Sequence, residues 1–463
     1  MQELHLLVAS HGMWGEPAHL GETARVIRSK FSEVDGNGVR LHVLVSKINT
    51  LGFTYDGIDW GGERLAEEVL KEIEELEKDG LHKVTRFSAV GYSMGGLLVR
   101  YMIGILNQRK FFEHVRPINF TTFAAPNIGL VRTGTVVSKL EFKIMPKVMS
   151  RTGPQFYGLD SWSATGQPLI EVLADPKGVF YQGLAKFEHL SLYGSAYGDK
   201  TVPYSTALIE SKDPFYNHET NGMTITMHKK YPPIMISYDT PAQPPTPEPK
   251  PPIASRAYWR SKPSTPLLPP FLQFKPPLNI LFYATLPLLV PVGVTAIYVK
   301  LTVDSHKSRK RIRRLEAEES SKDRLANVLK RTDMGMENAV AQLIEGAGEK
   351  EESPLKSAKN RAQLHTQSTS ASGSSGGGTP PLAQIVGQDR SPAGSKAPGG
   401  PAFSPMQLKA IDSLNQLPFN KYVACFPHVF SSHHIIVSRD LRKQPSHEQG
   451  LPVLQHWADH FIL

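Results

Sequence analysis

The chain has 463 residues, 40% of them hydrophobic, a formal net charge of +9, 37 glycines, 37 prolines and one cysteine. This composition supports one sizeable core, and the uneven spread of proline and glycine favours one folded domain with extended linkers over several domains. The lone Cys425 excludes an intramolecular disulfide, and the positive charge comes without zinc spacing, an RNA-recognition signature or an aromatic-interleaved basic stripe, which argues against nucleic acid.

Leu4 to Ser10 is a near-continuous apolar run, as expected of a strand covered on both faces. It begins too early to leave room for a signal peptide, so the expectation is a cytosolic catalytic part. Glu16 to Phe31 has helical character, and Arg40 to Ile48 reads as the next strand. Leu65, Val69, Ile73 and Leu76 recur at three- and four-residue spacing, which predicts an amphipathic helix over Glu63 to Asp79. Val84 to Val90 reads as a strand, Gly96 to Ile103 as the start of a helix, and Pro117 to Ala125 as another strand. This alternation predicts an α/β fold, a mostly parallel sheet with helices on both faces.

From Asn127 to about Phe187 the pattern loosens, and a cap over the carboxyl ends of the strands is expected there. Leu190 to Ser195 is again strand-like. Beyond Tyr238 the composition changes: Pro241 to Pro277 is proline-rich, and Leu278 to Val299 carries no charge. A basic cluster follows, Lys307, Arg309, Lys310, Arg311, Arg313 and Arg314, and then a charged helical stretch to about Gly346. Lys350 to Pro405 has the Ser, Gly, Pro and Ala content of a disordered linker. Lys421 to Phe426 reads as a last strand and Pro452 to Leu463 as a terminal helix. The expected organisation is therefore a catalytic domain whose first part is 1–240, a linker over 241–277, an apolar membrane anchor over 278–300, a charged helical segment over 301–349, a disordered linker over 350–405, and a closing part over 406–463.

Between a strand and a helix stands Gly91-Tyr92-Ser93-Met94-Gly95. A strand that turns this sharply into a helix needs tiny flanking residues. The turn lifts the serine hydroxyl clear of the sheet and leaves the next N–H free for an oxyanion. Ser93 is the candidate nucleophile. A serine needs a base, and the base an orienting acid, each in a loop after a later strand. Asp199, flanked by glycine in the loop after Leu190 to Ser195, fits the acid better than Asp160 or Asp175. His189, His218 and His228 lie in the first part, while His428, His433, His434, His447, His456 and His460 crowd the tail. A base in the loop after Lys421 to Phe426 is His433 or His434. The oxyanion donors are expected to be the backbone N–H groups of Met94 and of Met13, in the loop His11-Gly12-Met13-Trp14-Gly15, with His11 shaping that loop.

These residues, with Thr54-Tyr55-Asp56-Gly57-Ile58, Gly62-Glu63-Arg64-Leu65, Phe123-Ala124-Ala125-Pro126, Gly198-Asp199, Val202-Pro203 and the tail from Ser432 to Asp440, resemble the putative serine esterase family of α/β-hydrolases, especially its fungal branch of lipid-droplet and membrane-associated lipases and phospholipases. The resemblance covers roughly the first 240 residues and the last 45. It implies an α/β-hydrolase fold with a long insertion before the last strand, and, through a tail pattern of a histidine, two variable residues and then a β-branched pair leading to Arg-Asp, here Ile436, Val437, Arg439 and Asp440, it favours His433 as the base. Leucine is commonly found where Met13 stands, which matters little if only the backbone donates. The implied activity is hydrolysis of carboxylic esters of acylglycerols or glycerophospholipids through an acyl-enzyme on Ser93, with no cofactor and no metal. An acyl-thioesterase and a catalytically silent, membrane-tethered interaction protein are the alternatives.

The apolar segment is long enough to span a bilayer, yet Ser93 and Asp199 precede it and His433 follows it. A single crossing would separate nucleophile from base. Pro287 and Pro291, each costing a helix interior about 3 kcal/mol, predict two short arms that enter and leave one leaflet. The expectation is a monotopic anchor on the cytosolic face of the endoplasmic reticulum or on a lipid droplet, with the basic cluster on anionic headgroups. A simple span and a helix packed on the catalytic domain are the other outcomes.

Overall fold

The computed structural model describes residues 1–133, 135–241, 278–318, 386–389 and 400–463, with the single positions 245, 252, 255, 324 and 329. Six parallel strands make the central sheet: β1 Gln2–Ser10, β2 Val39–Val45, β3 His82–Tyr92, β4 Arg116–Phe123, β5 His189–Ser195 and β6 Phe419–Ala424. Their order is β6-β5-β4-β3-β1-β2, so the order reverses between β3 and β1, where an open parallel sheet forms a crevice at its carboxyl edge. This is the α/β-hydrolase arrangement, and the expected fold class holds.

Both faces of the sheet are covered, which explains the unbroken apolar runs in its strands. On one face helices α1 (Gly21–Lys30) and α5 (Leu451–Asp459) bury Ala24, Ile27, Leu454 and Trp457 with Phe123 and Tyr193 from the sheet. On the other, α2 (Ile58–Glu77) and α3 (Met94–Gln108) bury Leu65, Val69, Leu97 and Tyr101. Helix α2 starts five residues before its sequence boundary, because its first turn carries Asp59, a buried carboxylate whose partners are distant in the chain.

The segment expected to form a cap is helical, but its last helix, Val179–Leu184, lies beside α3. Phe180 stacks near Tyr101, with ring centroids 4.9 Å apart, and fills the space over Gly104. Three elements went unread in the sequence. Thr224–Met227 and Met235–Thr240 pair as an antiparallel hairpin, and Pro405–Leu414 is a helix opened by a capping box of Ser404 and Gln407. The Ser-Pro-x-Gln pattern at 404–407 was a legible signal for that helix. The proline-rich tract and the linker fall almost wholly outside the described residues.

The apolar segment does not break into two arms. Leu278–Ala317 is one helix, α4, with Pro287 and Pro291 inside it, so the expected bend and the boundary at residue 300 are both corrected. The four-residue spacing is the reason: Pro291 lacks the N–H that would have bonded the carbonyl of Pro287, so the defects share one face of the helix. Within it, Phe282–Ala317 is the one helix among the described residues that is long and apolar enough to cross a membrane. Leu288, Val292, Val294 and Ile297 are exposed, while Ser305 and Ser308 are buried against the domain.

Three histidines, His5 and His456 buried and His434 half-buried, contribute to the pH response of the fold. His5, His434 and His456 have pKa values lowered to about 3, in each case chiefly by burial. They are neutral in the folded chain and bind protons near pH 6.5 once unfolded, so the unfolded state holds more protons between those values. Stability is therefore complete above about pH 6.5 and is lost as pH falls toward about 3. The melting temperature is expected to drop steadily between pH 7 and pH 5; a flat profile would contradict this.

Candidate active site

Strand register assembles the site. Ser10 lies beside Gly91, so the loop after β1 meets the turn after β3. Ala424 lies beside Ser195, so the loops after β5 and β6 also meet. In the turn, Ser93 has φ 56° and ψ −129°, a conformation that costs a non-glycine residue about 1–3 kcal/mol and projects its side chain from the sheet edge. A Cβ on Gly91 would stand 2.4 Å from the Cα of Gly96, and one on Gly95 would stand 2.1 Å from the carbonyl oxygen of Ser10. The chain can turn back on itself at this point only without those atoms.

His433 bridges the nucleophile and the acid. Its Nε2 is 3.1 Å from Ser93 Oγ and its Nδ1 is 2.8 Å from Asp199 Oδ2. Asp199 Oδ1 accepts from the backbone N–H groups of Thr201 at 2.9 Å and Val202 at 2.8 Å, which leaves the other oxygen aimed at the imidazole. The Ser432 N–H donates to the Gly198 carbonyl at 3.0 Å, and the Tyr92 hydroxyl donates to the His433 carbonyl at 3.1 Å. The acid loop, the histidine loop and the residue before the nucleophile are thus tied together. Ser93 and His433 are both buried, which raises the strength of each polar contact among them.

His434, the neighbouring candidate, makes no hydrogen bond to Ser93, whose hydroxyl is bonded to His433. Its ring lies against those of His433 and His447, and burial with Arg439 close by lowers its pKa to about 3. Asp160 and Asp175 serve local turns, accepting from the N–H groups of Leu169 and Lys177. His218 stacks on Tyr197 with centroids 4.1 Å apart, and His228 accepts from the N–H groups of Lys230 and Tyr231.

Two backbone segments adjoin Ser93. The Met94 N–H opens α3 and, like the first N–H groups of any helix, has no acceptor within the helix. The Ser93 N–H is already used on the Phe123 carbonyl. Opposite, a Cβ on Gly12 would lie 2.6 Å from Ser93 Cβ, so the loop holding Met13 runs directly against the nucleophile. His11 is buried there, bonded through Nδ1 to the Gly12 carbonyl, and burial lowers its pKa. The next residue but two, Trp14, has φ 53°, an uncommon backbone for an aromatic side chain. Its N–H donates to Thr54 Oγ1 at 3.2 Å and its Nε1 to the Tyr55 hydroxyl at 2.8 Å.

A nucleophile, a base hydrogen-bonded to it, an acid holding the base and free N–H groups beside the reacting atom are the parts acyl transfer requires. Tyr92 and Trp14 are supporting residues that sequence reasoning missed. Tyr92 stands within the elbow motif itself, whereas nothing in sequence links Trp14 to Thr54 and Tyr55.

Residues 1–213 match the family described as putative serine esterase (DUF676). The chain is 26% identical over 210 residues to the putative lipase C4A8.10 of Schizosaccharomyces pombe, covering 44% of this chain and 26% of that protein. It is 32% identical over 156 residues to the putative lipase ROG1 of Saccharomyces cerevisiae, covering 33% of this chain and 21% of that protein. The matches thus span about a quarter of the length of these relatives. Among solved structures, an extracellular α/β-hydrolase from a Paenibacillus species is similar at 15% identity and TM-score 0.26, covering 46% of this chain and 86% of that one. The putative cell surface hydrolase of Lactobacillus plantarum is similar at 14% identity and TM-score 0.25, covering 44% and 74%.

Proposed function

With its first 213 residues belonging to the putative serine esterase family, we propose that this chain is a lipase or phospholipase that hydrolyses carboxylic esters of acylglycerols or glycerophospholipids at a membrane or lipid-droplet surface. The observation that carries the reading is the contact sequence from Ser93 through His433 to Asp199. Ser93 Oγ attacks the ester carbonyl carbon while His433 Nε2 takes its proton. The carbonyl electron pair moves onto oxygen, held by the N–H groups of Met94 and Met13. Asp199 stabilises the imidazolium, which then gives its proton to the leaving alkoxide as the carbon–oxygen bond breaks. Water, deprotonated by the same imidazole, releases the acid from the acyl-enzyme.

Lipid as the substrate class is supported by α4, most of whose apolar residues from Leu288 to Val299 are exposed. Ser93 and His433 share one site, so both lie on one side of any bilayer. The end of α4 at Ser308 and Arg311 is seated on that same domain. If α4 spanned, residues 241–277 would have to cross back carrying Glu248, Lys250, Arg256, Arg260, Lys262 and Lys275 among prolines that cannot close a hydrogen-bonded helix. One-sided insertion avoids this, and a monolayer over neutral lipid, having no aqueous far side, accommodates it best. We place the enzyme on the cytosolic face of the endoplasmic reticulum or on lipid droplets, with those cations of the basic cluster not seated on the domain facing anionic headgroups.

A fluorophosphonate probe should label the wild type and not Ser93→Ala. The lipid class that accumulates in cells carrying Ser93→Ala would name the substrate. Absence of labelling would point to a silent scaffold, and accumulation of acylated protein or acyl-coenzyme A to a thioesterase. A tag inserted at Ser264 that resists protease in intact microsomes would overturn one-sided anchoring.

A further inference from the structure

Helix α4 joins two environments. Its apolar stretch stands clear of the catalytic domain, while the stretch from Ser305 to Glu316 is seated on that domain through Ser305 to the Ser150 N–H, Arg309 to the Lys147 carbonyl and Glu316 to Arg151. The centre of the seat is Asp56, whose side chain is wholly inaccessible. Asp56 Oδ1 accepts from Ser308 Oγ at 2.7 Å and from Arg311 Nη2 at 2.5 Å, and Oδ2 accepts from Arg311 Nε at 2.8 Å and Arg64 Nη1 at 2.7 Å. Arg311 Nη2 also donates to the Gly52 carbonyl at 2.9 Å, and Arg64 Nη2 to the Phe53 carbonyl at 3.1 Å. The guanidinium of Arg311 lies 4.4 Å from the centroid of the Phe53 ring, and that of Arg64 lies 5.4 Å from it. Arg311 of α4 thereby holds the turn Leu51–Tyr55 at the Gly52 carbonyl and at Asp56, the residue that follows it, while Arg64 of α2 holds the Phe53 carbonyl.

That same turn holds the loop against Ser93. Thr54 and Tyr55 accept from the two N–H groups of Trp14, and the Leu51 N–H donates to the Gly15 carbonyl at 3.0 Å. Trp14 keeps its left-handed backbone because these partners hold it, and Met13, the proposed oxyanion donor, is its neighbour in the chain. We propose that Ser308 and Arg311 are positioning residues for the oxyanion loop, acting through Asp56 and the turn Leu51–Tyr55, so that hydrolysis depends on how the membrane helix is seated. This rests on the serine-esterase reading of the site. Insertion of the apolar stretch and the geometry beside Ser93 are then mechanically linked through one helix.

The test uses the full chain in detergent micelles with a soluble p-nitrophenyl butyrate substrate, so that access to a lipid surface limits nothing. Arg311→Ala should lower kcat per fluorophosphonate-titrated site roughly ten- to a hundredfold, with KM changed by about twofold or less. Arg311→Lys, which retains the charge without the fork, should recover part of the loss. Hydrogen exchange over 12–15 should quicken about tenfold or more, while 197–203 and 431–434 stay unchanged. A merely structural role would reduce the number of titratable sites and the melting temperature but leave kcat per site and exchange over 12–15 as in the wild type. If Arg311→Ala does not fold, Ser308→Ala removes a single hydrogen bond and carries the same comparison. Unchanged kcat per site with unchanged exchange over 12–15 overturns the proposal. If the wild type neither labels nor hydrolyses, the esterase reading fails, and the exchange measurement alone decides whether the helix positions the loop.

Discussion

Replacing His433 with alanine should lower ester turnover by roughly 10⁴- to 10⁶-fold, whereas the same change at His434 should cost about tenfold or less. The two residues are adjacent in sequence, yet their environments differ. His433 Nε2 is in reach of Ser93 Oγ and its other nitrogen is held by Asp199. Without the imidazole, Ser93 would have to attack as a neutral hydroxyl with no acceptor for its proton. The oxyanion donors and the binding site would survive, and they account for the residual rate. His434 packs against other rings, and its loss should disturb the loop only through packing. Steady-state turnover normalised to folded protein measures both. Comparable losses at the two positions would remove His433 from its role as base.

Asp59→Ala should destabilise the domain by about 3–5 kcal/mol, measured by denaturant unfolding, while Asp59→Asn should cost less. The Asp59 side chain is completely buried in the first turn of α2. It accepts from Arg151 Nη2 at 2.6 Å, Gln155 Nε2 at 2.9 Å and Trp162 Nε1 at 3.3 Å, all from the segment between β4 and β5, and from Arg324 Nη2 at 3.4 Å. Burial by itself would raise its pKa, but Arg151 and Arg324 outweigh burial and hold it well below the usual carboxylate range. Its contribution is therefore present above the unfolded pKa of about 4 and lost only as pH falls through the lower folded value. Alanine would leave the half-buried guanidinium of Arg151 with only Glu316 and take a carboxylate from the buried Arg324, and the penalty comes from those under-compensated charges more than from the lost bonds. Asparagine keeps one acceptor oxygen, enough for the Gln155 amide or the Trp162 indole N–H but not for both. A loss below about 1 kcal/mol for Asp59→Ala would show that solvent reaches this cluster.

The two predictions concern features of very different legibility. The turn at Ser93 could be read locally, because the glycines that permit it are its own neighbours. Asp199 could be read from the rule that the acid follows a later strand. The apolar spacing from Leu65 onward set the expected helix start at Glu63, whereas partners about a hundred residues away make the buried carboxylate of Asp59 tolerable in a first turn that begins at Ile58. Pro287 and Pro291 read as a break, but their spacing confines the missing bond to one face and the helix continues to Ala317. Arg309 and Arg311 read as part of a free basic cluster, and the fold turns them onto the Lys147 carbonyl and the Asp56 carboxylate.

The sequence alone determined what depends on neighbouring residues and on strand order: apolar runs that specify a doubly covered parallel sheet, an elbow around Ser93, and an uncharged segment long and apolar enough to cross a membrane. Tertiary structure alone decided what depends on distance through space. It selected His433 over His434 as the partner of Ser93, set Gly12 against the nucleophile through the register of β1 and β3, and seated Arg311 on Asp56 across 255 residues of chain. The physical reason is that a hydrogen bond or ion pair acts over a few ångströms, and which residues come that close is settled only when the sheet and its covering helices pack.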